Sequence, residues 1–196
     1  MKPNEKNMAV LILAAGASTR MGEIKQLLPW KKTTLLNHTI AQVKEISKSV
    51  FLVLGANMEK IKPTVFNYNI IYNSNWESGM GTSITTGIAQ IEKEGNFDSV
   101  LILLADQPLL TADYYKKMIL SYNKLESKIV ATAYENKNGV PAIFDISLFK
   151  ELKTLNKDYG ARSLIQKYSE SVKSINPDGK AIDIDTPEVY KQLIKI

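Results

Sequence analysis

The chain has 196 residues, of which 44% are apolar and 23% charged; this balance is typical of a globular protein and excludes disordered, collagen-like and fibrous classes. With no cysteine and a single histidine, it has no disulfide, thiolate metal site, cysteine nucleophile or multi-histidine metal site. The longest apolar run, residues 8–15, is far short of the roughly 20 needed to cross a bilayer. No signal-peptide-length segment precedes it, so we expect a cytoplasmic protein that does not contact a membrane.

The net charge of +5 is concentrated at the start of the chain. Residues 1–32 hold six cations and two anions, which is +4 of the total. A nucleic-acid binder more often spreads its cations over a face, so we expect a local anionic ligand and no nucleic acid. Arginine occurs only as Arg20 and Arg162, and its planar fork suits phosphate recognition.

Strands and helices alternate through the first part of the chain. Short apolar runs rich in β-branched residues predict buried parallel strands at residues 8–14, 50–54, 69–72 and 100–105. Helical spacing of apolar residues predicts helices at residues 34–47, 58–66, 82–91 and 111–125. This order predicts an α/β fold, a Rossmann-like three-layer α/β/α domain with a mostly parallel central sheet and ligands beyond the carboxyl ends of its strands.

The pattern is looser after residue 125. It predicts strands at 128–134 and 142–144, with a hairpin turn at 136–139 because Asn138–Gly139 is a strong turn signal. Helices at 147–155 and 160–168, a strand pair near 172–175 and 181–184, and a helix from Thr186 complete the chain. No linker or repeat interrupts it, so we predict one domain over residues 1–196.

The first strand leads into a glycine-rich segment, LAAGASTRMG at residues 13–22, followed by Lys25. Small residues leave backbone N–H groups free to surround a polyphosphate, and Arg20 and Lys25 supply neutralising charge. The glycine spacing matches neither GxGxxG nor GxxxxGK[ST]. The alternative is a plain turn at Gly16 and Gly22 with solvated cations.

This loop resembles the nucleotide-binding signature of the MobA-like nucleotidyltransferases, and other segments resemble the same family. NWESGMGTS (75–83) is similar to its segment lining base and ribose, ADQP (105–108) to its metal-binding DxP motif, and GVP (139–141) to its GxP segment. DYGAR (158–162) and DIDTPE (183–188) resemble its last two motifs. Within the family the chain most resembles molybdenum-cofactor cytidylyltransferases, although Val140 and Tyr159 depart from the residues common at their positions.

The resemblance implies a nucleotide-diphospho-sugar transferase-like fold, with an NTP-binding half (about 8–110) and an acceptor-binding half (about 111–196). It implies Mg²⁺-dependent transfer of CMP from CTP to a molybdopterin-type acceptor, with release of pyrophosphate, and a molybdenum hydroxylase as the receiver of the product. The implied nucleotide contacts are Leu13, Ala14, Ala15, Gly16, Arg20, Lys25, Asn75, Gly79, Gly81 and Ser83. The implied acceptor contacts are Gly139, Pro141, Arg162 and Asp183, and the catalytic groups are Arg20, Lys25 and Asp106.

Three aspartates are candidates for the metal site. Asp106 follows the apolar run VLILLA, so it should lie at the carboxyl edge of the sheet, where Mg²⁺ could bridge it to phosphate oxygens; otherwise it caps a turn before Pro108. Asp183 and Asp185 share a face of an extended segment. We assign Asp185 as the second metal ligand and Asp183 to the acceptor, with an N-cap before Pro187 as the competing role of Asp185.

Other functions remain open. A cytidylyltransferase of isoprenoid synthesis has a similar AAGxGxRMG start, but carries a D-A-A-R-P type motif where this chain has ADQP. Guanylyltransferases of the same fold usually have Leu-Ala-Gly-Gly where this chain has Ala15 in the third position. A non-catalytic chaperone that carries the cofactor is the third alternative.

Overall fold

The computed structural model describes residues 7–66, 68–124, 127–156 and 160–195. Its strands are β1 (Met8–Ala14), β2 (Pro29–Trp30), β3 (Thr33–Thr34), β4 (Val50–Leu54), β5 (Asn69–Tyr72), β6 (Ser99–Leu104), β7 (Ile129–Tyr134), β8 (Lys137–Asp145) and β9 (Val172–Ile175). Its helices are α1 (Leu35–Lys44), α2 (Met58–Ile61), α3 (Met80–Glu94), α4 (Ala112–Lys124), α5 (Phe149–Leu152), α6 (Ala161–Lys167) and α7 (Pro187–Leu193). None of the helices in these ranges is long and apolar enough to cross a membrane.

Seven strands form one sheet in the order β5-β4-β1-β6-β8-β7-β9. All neighbouring pairs are parallel except those of β8, which runs antiparallel to both β6 and β7. The predicted mostly parallel sheet is therefore confirmed. Strands β2 and β3 form a separate small hairpin.

Two apolar cores cover the two faces of the sheet, because successive residues of a strand point to opposite faces. In β1, Ala9, Leu11 and Leu13 belong to the core under α3, α5 and α6, and Val10, Ile12 and Ala14 to the core under α1 and α4. Helix α3 approaches β1 so closely that a Cβ on Gly87 would lie 2.6 Å from a methyl of Leu11. The predicted three-layer arrangement is confirmed.

The carboxyl ends of β1, β4 and β6 meet at one edge of the sheet, since these strands are parallel. The chain returns to this edge after β9, where the amide of Ile184 donates to the carbonyl oxygen of Asp106 at 2.9 Å. Ile184 is fully buried in a third cluster with Met21 of the first loop and Leu193 of α7. The end of the described chain thus packs beside its beginning.

Some predicted local elements are wrong. The turn of the β7–β8 hairpin lies at residues 135–136, and Gly139 is within β8, opposite Thr132. Residues 181–184 form no strand, and β9 pairs in parallel with β7 instead. Helix α2 ends at Ile61 and continues only as a 3-10 turn. The predicted motif residues Asp158 and Tyr159 lie outside the described residues.

Candidate active site

The glycine-rich segment leaves β1 as a loop at the carboxyl edge of the sheet. Ser18 has a φ of 59° and Gly22 a φ of 74°, which let the chain fold back on itself. The amides of Met21 and Gly22 donate to carbonyl oxygens of Ser18 and Thr19. Among the described residues, the amides of residues 16–20 have no hydrogen-bond acceptor, so they remain donors for an anion.

Gln26 holds this loop in shape. Its side chain is buried, and its Nε2 donates to the carbonyl oxygens of Ala14 and Gly16 at 3.0 and 3.1 Å. The Ser18 hydroxyl accepts from the amide of Lys25. Sequence reasoning missed Gln26, because its partners are backbone atoms 10 and 12 residues away and no spacing pattern marks such contacts.

Two cations of the loop contact two carboxylates from other parts of the chain. The Lys25 ammonium lies 2.6 Å from Asp106 Oδ2 and 2.8 Å from Asp185 Oδ1. The Arg20 guanidinium donates to Asp185 Oδ2 at 2.9 Å. All four side chains were predicted site residues, and the structure brings them together although they are as many as 165 positions apart in the chain.

Burial and charge act against each other in this cluster. Burial favours the neutral amine of Lys25, but Asp106 and Asp185 outweigh it and raise its pKa above the ordinary value. Burial raises the pKa of Asp106, and Lys25 only partly offsets it. For Asp185 the opposing cations outweigh burial and lower its pKa. Of these two carboxylates, Asp106 is the one whose charged form burial disfavours on balance.

Thr186, not Asp185, caps α7. The Thr186 hydroxyl accepts from the amide of Val189, and Pro187 begins the helix. The N-cap, the competing role of Asp185, is therefore excluded. Its side chain is left to face Lys25 and Arg20.

The donor set fits a hard divalent cation. Asp106 Oδ1 is buried and has no hydrogen-bond partner among the described residues, which is costly for a carboxylate oxygen unless a cation or donor binds there. No group of three or more metal-ligating side chains occurs in the described residues. A cation held by Asp106 and Asp185 would therefore complete its shell with phosphate oxygens and water, as Mg²⁺ does.

A partly buried hydrogen-bond network supports Asp183. Gln107 Nε2 donates to Asp183 Oδ1 at 2.7 Å and to the Tyr134 hydroxyl at 2.8 Å, and that hydroxyl donates to the carbonyl oxygen of Val140 at 2.6 Å. Since Tyr134 gives its only proton to Val140, it must accept from Gln107. Partial burial and the charge of Asp106 raise the pKa of Asp183. Sequence reasoning did not assign a role to Gln107.

The first loop and the charged side chains around it line one cleft of about 550 Å³ at the edge of the sheet. The predicted site residues in its wall are Leu13, Ala14, Ala15, Gly16, Arg20, Lys25, Gly79, Ser83, Asp106, Asp183 and Asp185. The predicted residues outside its wall are Asn75, Gly81, Gly139, Pro141 and Arg162; Arg162 is exposed on the first turn of α6. Trp76, Glu77 and Met80, next to the start of α3, also line the cleft.

A loop with free amides, two cations and two carboxylates at the edge of a parallel sheet is the arrangement expected of a nucleotidyltransferase. Residues 10–172 match the family model of the MobA-like NTP transferase domain. The chain belongs to this family, and it is an enzyme with transferase activity, as its resemblance to the family predicts.

Three relatives match over nearly the whole chain. The purine catabolism protein PucB of Bacillus subtilis is 30% identical, over 92% of each chain. Nicotine blue oxidoreductase of Paenarthrobacter nicotinovorans is 29% identical, over 94% of this chain and 95% of its own. Molybdenum cofactor cytidylyltransferase of Escherichia coli is 26% identical, over 92% of each. Because these names cover different activities, similarity alone does not decide the substrate.

The fold is also that of solved structures. Rv0371c of Mycobacterium tuberculosis superposes with a TM-score of 0.86 at 24% identity, covering 98% of this chain and all of that one. The same protein in complex with manganese gives a TM-score of 0.81 at 23% identity, over 96% of this chain and 98% of that one. The predicted nucleotide-diphospho-sugar transferase-like fold is thereby confirmed.

Proposed function

We propose that the protein transfers CMP from CTP to a molybdopterin-type acceptor and releases pyrophosphate in a Mg²⁺-dependent reaction. One observation carries the proposal: the cleft places free loop amides, Arg20 and Lys25 directly against Asp106 and Asp185. That set can bind a triphosphate on one side and a divalent cation on the other. The relative named molybdenum cofactor cytidylyltransferase supports the choice of acceptor.

The base is assigned from the start of the loop. Ala15 lines the cleft and is buried, and its carbonyl oxygen accepts from the amide of Ala56 at 2.9 Å. We infer that the Ala15 methyl group leaves too little room for a purine at the start of the loop. This supports CTP as the donor nucleotide, in agreement with the Leu-Ala-Ala-Gly resemblance.

The reaction displaces pyrophosphate from the α-phosphorus of CTP. A phosphate oxygen of the acceptor bonds to that phosphorus, and the bond from phosphorus to the bridging oxygen of pyrophosphate breaks. Arg20 and Lys25 neutralise the departing phosphates, and the loop amides hold them in place. Asp106 and Asp185 would hold Mg²⁺, which supplies positive charge to the phosphate oxygens. An ionised phosphate nucleophile needs no general base.

The acceptor is placed on the C-terminal side of the cleft. Asp183 is the predicted acceptor contact that lines the cleft. Gln107 donates to its carboxylate, and the Tyr134 hydroxyl accepts from the same Gln107 amide group. Gly139, Pro141 and Arg162 stay predicted contacts of the acceptor half, residues 111–196. The proposed product would pass to a molybdenum hydroxylase, and we propose that the reaction takes place in the cytoplasm.

Pyrophosphate release tests the proposal. The enzyme is incubated with each of four NTPs and Mg²⁺, with and without molybdopterin or the methylerythritol phosphate acceptor of isoprenoid synthesis. We expect release only with CTP and molybdopterin together. Release with the isoprenoid acceptor or with GTP would replace the proposal by the corresponding alternative, and stoichiometric cofactor binding without release would indicate a carrier.

A further inference from the structure

Four charged groups of the cleft neutralise one another, and Asp183 and Glu77 are two further carboxylates in its wall. Both oxygens of Asp185 are engaged, Oδ1 by Lys25 at 2.8 Å and Oδ2 by Arg20 at 2.9 Å. Lys25 also holds Asp106 Oδ2 at 2.6 Å. Arg20, Asp185, Lys25 and Asp106 therefore form a chain of alternating charge with no net charge.

A divalent cation conflicts with this chain. Asp106 Oδ1 is open to it, but Asp185 offers no oxygen without a cationic partner. A metal ion bound at about 2.1 Å from Asp185 would lie within roughly 5 Å of the Lys25 ammonium, and this like-charge repulsion is strong in a poorly solvated site. Lys25 must leave the two carboxylates before the metal can use both.

The same pairing weakens the attraction for phosphate. While Lys25 and Arg20 are held by carboxylates, the cleft presents little positive charge beyond the loop amides. A triphosphate that draws the two cations away would leave Asp106 and Asp185 without counter-charge. Either ligand alone must therefore break these ion pairs. When both bind, the metal ion replaces the cations beside the carboxylates, and the triphosphate replaces the carboxylates beside the cations.

We propose that Lys25 and a divalent cation compete for Asp106 and Asp185, so that metal and triphosphate bind cooperatively. The metal ion frees Lys25 to bind phosphate, and the triphosphate draws Lys25 away from the carboxylates that bind the metal ion. The proposal concerns the same cleft as the proposed cytidylyl transfer and rests on it. Coupling between two ligands is commonly about 5- to 150-fold in affinity and is the same in both directions.

The test separates the two ligands. Mn²⁺ binding without nucleotide is measured by the electron paramagnetic resonance signal of free Mn²⁺ at pH 8.5, and inorganic tripolyphosphate binding is measured by calorimetry in metal-free buffer. Lys25→Met should bind Mn²⁺ at least about fivefold more tightly than wild type, yet bind tripolyphosphate more weakly. A general loss of structure would weaken both.

Two further variants complete the experiment. Lys32→Met changes the net charge equally at an exposed lysine outside the cleft, so it should shift Mn²⁺ affinity much less than Lys25→Met. Arg20→Gln frees Asp185 Oδ2 at a side chain that is 72% exposed, and should tighten Mn²⁺ binding by a smaller factor without affecting folding.

Unchanged or weaker Mn²⁺ binding in both Lys25→Met and Arg20→Gln would overturn the competition, and so would equal tightening in Lys32→Met. Neither measurement uses CTP or an acceptor. Failure of cytidylyl transfer would therefore overturn the proposed function alone, and failure of the Mn²⁺ arm would overturn this inference alone.

Discussion

Replacing Asp106 by asparagine should abolish transfer and leave the fold intact. The substitution keeps the shape of the side chain and removes one negative charge from the proposed metal site. Deleting one preorganised electrostatic group of a transition state typically costs about 10²- to 10³-fold in turnover, or about 2.7–4 kcal/mol. We expect a loss of more than about 100-fold in kcat.

The stability of this variant should change little. Burial raises the pKa of Asp106 in the folded protein, which opposes folding, whereas Asp106 raises the pKa of Lys25, which favours folding; the neutral amide removes both contributions. Lys25 keeps its contact with Asp185 at 2.8 Å. The melting temperature should therefore stay within about 4 °C of wild type, which corresponds to roughly 1 kcal/mol for a chain of this size.

The assay is pyrophosphate release at saturating CTP, acceptor and Mg²⁺, with thermal melting measured on the same samples. Asp113→Asn is the matched control, because that side chain is 92% exposed on α4, outside the cleft, and it should keep wild-type turnover. Near wild-type turnover of Asp106→Asn at saturating Mg²⁺ would refute the metal assignment.

Three other outcomes are expected from the same assay. Lys25→Ala should mainly raise the KM for CTP and Arg162→Ala mainly that for the acceptor; an effect of Arg162→Ala on CTP alone would contradict the division into donor and acceptor halves. Gln107→Leu removes the donor to Asp183 and should raise the KM for the acceptor by about 10- to 150-fold, because a hydrogen bond to a charged group contributes about 1.5–3 kcal/mol. The KM for CTP should stay unchanged in this variant, which is the check. In a mixture of equal CTP and GTP, mass spectrometry of the product should show cytidylylation favoured by about one to three orders of magnitude, and a mainly guanylylated product would reject the role of Ala15.

The central parallel strands could be predicted because they are buried on both faces of the sheet. β1 and β4 have the predicted bounds, since strands buried on both faces are continuous apolar runs bounded by polar residues. β5 also has its predicted bounds, but it is an edge strand in which only Ile71 is buried, so the prediction of a buried strand there is wrong. The hairpin turn could not be predicted from Asn138–Gly139. Gly139 lies in β8, where a Cβ would come within 3.0 Å of the Tyr134 ring, so this glycine makes room for a side chain and does not form the turn.

The proposed nucleotide side of the cleft was more accessible to sequence reasoning than the proposed acceptor side. The loop and Asp106 follow strands directly, and strand ends at one edge of a parallel sheet must lie near each other. The acceptor groups depend on long-range contacts instead. Gln107 reaches Asp183 across 76 positions and Tyr134 across 27, and no local pattern encodes such partners.

Asp185 shows why local rules fail at a functional site. An N-cap is the competing role of Asp185, since an aspartate at the N-terminus of a helix is favoured by capping and by the helix dipole. The structure gives the cap to Thr186, which leaves the carboxylate of Asp185 between Lys25 and Arg20. The neutral Thr186 caps the helix, and the charged Asp185 lines the cleft. The double substitution Asp185→Thr and Thr186→Asp would preserve a residue that can cap α7 and would remove the carboxylate from position 185 in the cleft. Helix capping and the proposed metal binding are therefore separate requirements on adjacent residues.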